Sequence, residues 1–208
     1  RLRPYFFCRP LWLDEASLAI SLIKIPWNNI HGTLEGGHNA PVGFIAIEKL
    51  AIAMFGPTEM AFRLWPLIAG LAALILFYIL VRRLLSPTAV PIAMALFALS
   101  EPLIYFSNEL KPYSSDAAIY VGFFLLLHGV HRRAISWGQV LLLIPAGLFA
   151  ITFSFPGIFL TVGTGLYFAG NALWRRDSKT LLRWCVVGGA WAAALAFYYL
   201  FSLKAQPH

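Results

Sequence analysis

Charge is scarce in this sequence. Asp, Glu, Lys and Arg make up 12% of the 208 residues, about half their share in a soluble domain. Apolar residues make up 60%, which argues against a soluble globular domain and for a chain built for lipid. Cysteine is scarce too. Cys8 and Cys185 lie far apart, Cys185 within an apolar run. No disulfide framework or metal-ligand spacing is visible, and the two read as unpaired small hydrophobes. Neither an initiator Met nor a signal segment opens the chain at Arg1-Leu2-Arg3-Pro4, and it stops just after an apolar run. A piece of a longer protein is expected.

Six apolar segments approach the roughly 20 residues that a spanning helix needs: 64–81, 88–106, 114–130, 138–153, 155–174 and 181–203. The expected fold is an all-α polytopic membrane protein. A single domain covers 1–208, with an outer segment over 1–63 and about six transmembrane helices over 64–203. Pro156, beside Ser154, marks a tight turn between the fourth and fifth segments.

Charge alternates between the connections. Arg82-Arg83, the 131–133 stretch and the 174–183 stretch hold eight of the 16 Lys+Arg and one acid, Asp177. The other side is neutral, so the whole formal charge of +7 falls on one face. The positive-inside rule makes that face cytoplasmic and the acid-bearing face exported. Positive charge divided among short loops disfavours a nucleic-acid partner and favours the lipid bilayer.

Two outer segments carry the polar residues. In the first, Asp14-Glu15 precedes an apolar stretch, Ala16–Ile25. The glycine-rich loop 31–41 follows, and then Val42–Phe55. Phe44, Ile47, Leu50, Ala51 and Met54 recur at helical spacing with Glu48 and Lys49 on another face, the pattern of an interfacial helix. In the second, Ser107 to Asp116, Glu109 and Lys111 are close enough to converge on one ligand, and Pro112 interrupts the helix.

The run Leu-Trp-Leu-Asp-Glu-Ala-Ser at 11–17 resembles the Asp-Glu motif in the first outer loop of GT-C glycosyltransferases. The likeness is to the bacterial family 39-like proteins, kin to protein O-mannosyltransferases and aminoarabinose transferases. Further similarity lies in His38-Asn39-Ala40-Pro41-Val42-Gly43-Phe44, Phe55 to Glu59 leading to Arg63-Leu64-Trp65-Pro66, and Glu109 to Asp116. It covers about residues 10–170 in order. The resemblance implies a GT-C-like helix bundle with interfacial helices in the first outer loop. It implies a hexosyl- or pentosyltransferase in the bacterial inner membrane, multi-pass, with its site facing the periplasm or exterior. The donor substrate would be a polyprenyl-phosphate-linked sugar and the acceptor a glycan, lipid or protein.

Transfer to an acceptor hydroxyl needs a base, and the leaving phosphate needs cations. Asp14 is the candidate base, ionised near neutral pH since an aspartate's reference pKa is about 3.9. Glu15 would orient the acceptor, pair with a cation or assist as a second carboxylate. A solvated helix N-terminus is the plainer reading of both acids. Lys111 is the candidate for the donor phosphate, against an interfacial anchor. Arg63 reaches phosphate or anchors a headgroup. His38 ligates metal, bonds phosphate or faces water. Tyr113 stacks on sugar or belongs to an interfacial aromatic belt. Aminoarabinose transferases carry a phosphate-binding lysine where this chain has Ala40, which shifts weight to Lys111 or His38. Glu109 with Asp14 is the candidate pair for a divalent metal, although the Asp-x-Asp arrangement of oligosaccharyltransferases is absent. A transporter or flippase for a lipid-linked precursor and a noncatalytic assembly subunit are the alternatives.

Overall fold

The computed structural model describes residues 1–7, 9–30, 34, 39–130 and 135–204. Among these residues there are ten α-helices and no strand: α1 (Leu2–Phe7), α2 (Leu13–Lys24), α3 (Val42–Phe55), α4 (Glu59–Leu84), α5 (Ala89–Ala98), α6 (Glu101–Phe106), α7 (Tyr113–His128), α8 (Trp137–Phe153), α9 (Gly157–Trp174) and α10 (Ser178–Lys204). The chain is all-α.

Two of these helices, over Glu59–Leu84 and Ser178–Leu200, are long and apolar enough to cross a membrane. The other expected spans are shorter or less apolar. The 88–106 segment is not one helix, contrary to expectation. It breaks at Leu99 and Ser100 into α5 and α6, because Pro102 has no N–H for a continuing helix and its ring would clash with the carbonyl four residues earlier. At the expected turn, Ser154 Oγ accepts from the Gly157 N–H at 3.0 Å. A side chain on Gly157 would collide with the Ala150 carbonyl.

Two cores hold the helices. One joins α7, α8 and α10 around Phe123, Leu143, Trp184 and Trp191. The Trp191 indole N–H donates to the Leu143 and Ile144 carbonyls at 3.2 Å, in space that Gly147 leaves by lacking a side chain. The other joins Leu18 and Leu22 of α2, Phe44 and Ile45 of α3, Phe62 of α4, and Leu110 from the 107–112 connection. The first outer segment therefore has its own core, roofed in part by the second. α4 and α7 form the broadest helix pair, tied by the Trp65 indole N–H donating to Ser115 Oγ at 2.9 Å.

α3 is turned the other way from the simple amphipathic reading. Phe44 and Ala51 are buried as expected, but Leu50 and Met54 are exposed while Glu48 and Lys49 face inward. Lys49 explains its own burial. Its ammonium donates to the carbonyls of Leu22 at 3.1 Å and Ile25 at 2.6 Å, the unsatisfied acceptors at the end of α2. Glu48 has neither oxygen partnered among the described residues, and burial pushes its carboxyl well above the usual 4.5. A pKa raised on folding stabilises the neutral form, so stability is fullest below the unfolded value and falls as pH rises toward the folded one. Glu48→Gln is expected to raise the melting temperature at pH 8 by several °C and to flatten its decline between pH 5 and 8. About 1 kcal/mol moves Tm by about 2–4 °C in a chain of this size. Thermal unfolding in detergent across that range checks it; an unchanged slope would count against the buried charge.

Candidate functional site

The site begins at the N-terminus of α2. Asp14 and Glu15 lie in its first turn, where backbone N–H groups favour carboxylates. Helical geometry places adjacent residues on different faces, and the two acids part accordingly. Glu15 is fully buried, whereas the Asp14 side chain is 46% exposed.

Glu15 meets Arg63 from the second turn of α4. Arg63 Nη2 donates to Glu15 Oε2 at 2.7 Å and Nε to Oε1 at 3.2 Å, a forked pair with both partners inaccessible. Arg63 also donates to the backbone carbonyls of Arg9 at 2.6 Å and Pro10 at 3.5 Å. Glu15 accepts from the Leu110 N–H at 2.9 Å and from the Trp12 N–H at 3.4 Å. One ion pair thus gathers the 9–12 stretch before α2, the start of α2, α4 and the 107–112 connection.

The remaining charges sit on the outer side of that pair. Lys111 Nζ donates to Asp14 Oδ2 at 2.9 Å and lies over the Trp12 ring. Arg9 Nη2 donates to Glu109 Oε1 at 2.8 Å and lies over the Tyr105 ring. Burial works against Arg9's charge, but hydrogen bonds to Tyr105 and Glu109 and the charges of Glu15 and Glu109 outweigh it, so its pKa is raised. Tyr113, the first residue of α7, is exposed and packs edge-on against Phe106.

The structure therefore brings Asp14, Glu15, Arg63, Glu109 and Lys111 into one network. Glu109 and Lys111 do not share a partner, since each pairs with a different charge from the first segment. His38 lies outside the described residues. Among those described, no three His, Cys, Asp or Glu side chains converge as a metal cluster; Asp14 and Glu109 each carry a cation. Arg9 and the Leu110 N–H are participants that sequence reasoning missed. Arg9 carried one weak signal, a cation five residues ahead of an acid pair, with nothing to match it to Glu109 a hundred residues on.

Below the network, an apolar groove of about 410 Å³ runs between α4, α7 and α8, from Trp65, Ser115 and Phe149 to Leu76 and Leu126. One lining residue, Trp65, also packs against the core that holds Leu110.

Removing one partner of a buried ion pair leaves an uncompensated charge, at a cost of about 3–5 kcal/mol. Arg63→Met is expected to destabilise the fold on that scale, and Arg63→Met with Glu15→Gln to recover much of the loss. Urea or thermal unfolding of the two single variants and the double measures the coupling, and additive losses would show that the pair is not the joint. No protein-family model matches the chain, and no curated protein or solved structure matches it.

Proposed function

We propose that the protein is a membrane glycosyltransferase that moves a sugar from a polyprenyl-phosphate donor to an acceptor on the exported face. The observation that carries this reading is the Asp14–Lys111 pair. A half-exposed carboxylate from the first outer segment and a cation from the second meet at 2.9 Å, and an apolar groove opens between the helices that carry Trp65 and Ser115. The sequence resemblance to GT-C enzymes points to the same acid.

The multi-pass bundle belongs to this proposal and has physical support beyond α4 and α10. Beside the apolar cores, several charged or polar side chains lie inside while many large apolar ones lie outside. Glu15, Glu48, Arg63, Asn108 and Glu109 are buried, while Ile92, Leu96, Phe159, Leu166 and Trp174 are exposed. Exposed apolar surface on this scale marks contact with lipid or protein. Basic residues gather at one end, where Arg183 donates to the Ile135 carbonyl and Leu84 shares a groove with His128. That end is cytoplasmic in the proposed orientation, and the acid network faces out.

In the proposed reaction the acceptor O–H gives its proton to Asp14 as its oxygen bonds to the sugar C1. The C1–O bond to phosphate breaks, and the electron pair leaves with the polyprenyl phosphate, whose charge Lys111 meets. Donor phosphate competes with Asp14 for Lys111, so arrival of the donor loosens the Asp14–Lys111 contact. The isoprenoid tail lies along the groove between α4, α7 and α8. Glu15 and Arg63 are positioning residues, too buried to meet acceptor or phosphate, and they hold the Lys111 segment against α2. Tyr113 offers an exposed ring for the sugar.

Asp14→Asn is expected to lower sugar transfer by about 10²–10⁴-fold, the usual contribution of a general base. Its melting temperature should stay within about 2 °C of the parent, because surface substitutions usually change stability by about 0.5 kcal/mol or less. Transfer of radiolabelled sugar from a polyprenyl-phosphate donor, in membranes or nanodiscs, measures it. Full transfer by this variant would remove Asp14 from the mechanism.

A further inference from the structure

We propose that Arg9, with Lys111, forms the binding site for the anionic phosphate of the donor, and that Arg63 takes no part in it. This inference rests on the lipid-phosphate reading above. The three cations of the network differ in what they have left to offer. A guanidinium carries five N–H donors. Arg63 commits its Nε, Nη1 and Nη2 groups to Glu15, Arg9 and Pro10, and its side chain is 2% exposed. A phosphate could reach it only by breaking the buried pair.

Arg9 is placed otherwise. Its side chain is 39% exposed, and Glu109, buried beneath it, takes a single contact at 2.8 Å. That contact, the hydrogen bond to Tyr105 and the Tyr105 ring hold the guanidinium in place while it stays partly exposed. Lys111 lies two residues beyond Glu109, its backbone N–H bonded to the Glu109 carbonyl at 2.7 Å, and it rests over Trp12 in the same way. Both cations are thus tied to one tight turn, Arg9 through the Glu109 carboxylate and Lys111 through its own backbone, and each rests against an aromatic ring. A planar fork beside a point charge suits a phosphate, the fork giving paired hydrogen bonds and the ammonium charge.

Isothermal titration of the full chain in nanodiscs tests this with three probes: a short-chain isoprenyl phosphate, the matching uncharged isoprenol, and inorganic phosphate. Arg9→Gln is expected to weaken isoprenyl phosphate binding about tenfold or more, the scale of one charge-assisted contact, and to leave isoprenol binding unchanged. Arg9→Lys, which keeps charge but loses the fork, should fall between Arg9→Gln and the parent, and it carries the test if Arg9→Gln does not fold. Equal loss for phosphate and alcohol would make Arg9 merely structural and overturn the proposal, as would unchanged phosphate binding in both variants. Inorganic phosphate bound as tightly as the lipid, and equally sensitive to Arg9, would support the cation pair with a free anion as its ligand. Binding is read without turnover. An active enzyme insensitive to Arg9 therefore refutes this inference alone, whereas Arg9-dependent binding without any sugar transfer refutes the transferase reading alone.

Discussion

Glu15 and Arg63 form an ion pair that neither charge could sustain alone in so apolar an interior. Taking a carboxylate and a guanidinium out of water costs several kcal/mol each, and only close geometry with further hydrogen bonds offsets it. Here the geometry is a fork, and the remaining capacity of both groups goes to backbone. Arg63 satisfies the carbonyls of Arg9 and Pro10, while Glu15 satisfies the N–H of Leu110. Segments nearly a hundred residues apart are thereby set against one helix terminus. The Leu110 side chain drops into the core of the first outer segment, so polar and apolar contacts fix the same register.

What the pair positions is more exposed than the pair itself. Asp14 is set by α2's first turn, Lys111 by its neighbour Leu110, and Arg9 by the stretch before α2 whose carbonyls Arg63 holds. The chemistry proposed for Asp14 and Lys111 requires a contact that can part when a substrate arrives, and a half-exposed ion pair of modest strength meets that need. A buried pair does not. The network thus divides into a fixed inner joint and an exchangeable outer edge.

The same logic shapes the helices. A protein in water hides apolar side chains and exposes charge; this one exposes Leu50, Met54 and the Ile92 and Leu96 side of α5 while burying Glu48 and Lys49. Lys49 closes the end of α2, which keeps the helix carrying Asp14 short and anchored at both ends. Glu48 sits next to it with no partner among the described residues, a cost to stability that nothing in the structure explains.

Composition and periodicity were enough for the all-α class, the two long apolar helices, the breaks at Pro112 and Pro156, and the extent of α3, because each depends on residues close in sequence. The acid pair also stood out locally, as costly charge in an apolar chain. Tertiary structure decided the rest. It divided Asp14 from Glu15 by exposure, turned Arg63 from a ligand contact into a structural one, brought in Arg9, and broke the 88–106 segment into two helices. Apart from that break at Pro102, these outcomes depend on which distant group lies opposite, and an ion pair between residues 15 and 63 or 9 and 109 leaves no periodic trace in the chain. Its energy comes from burial and geometry that exist only once the helices have packed.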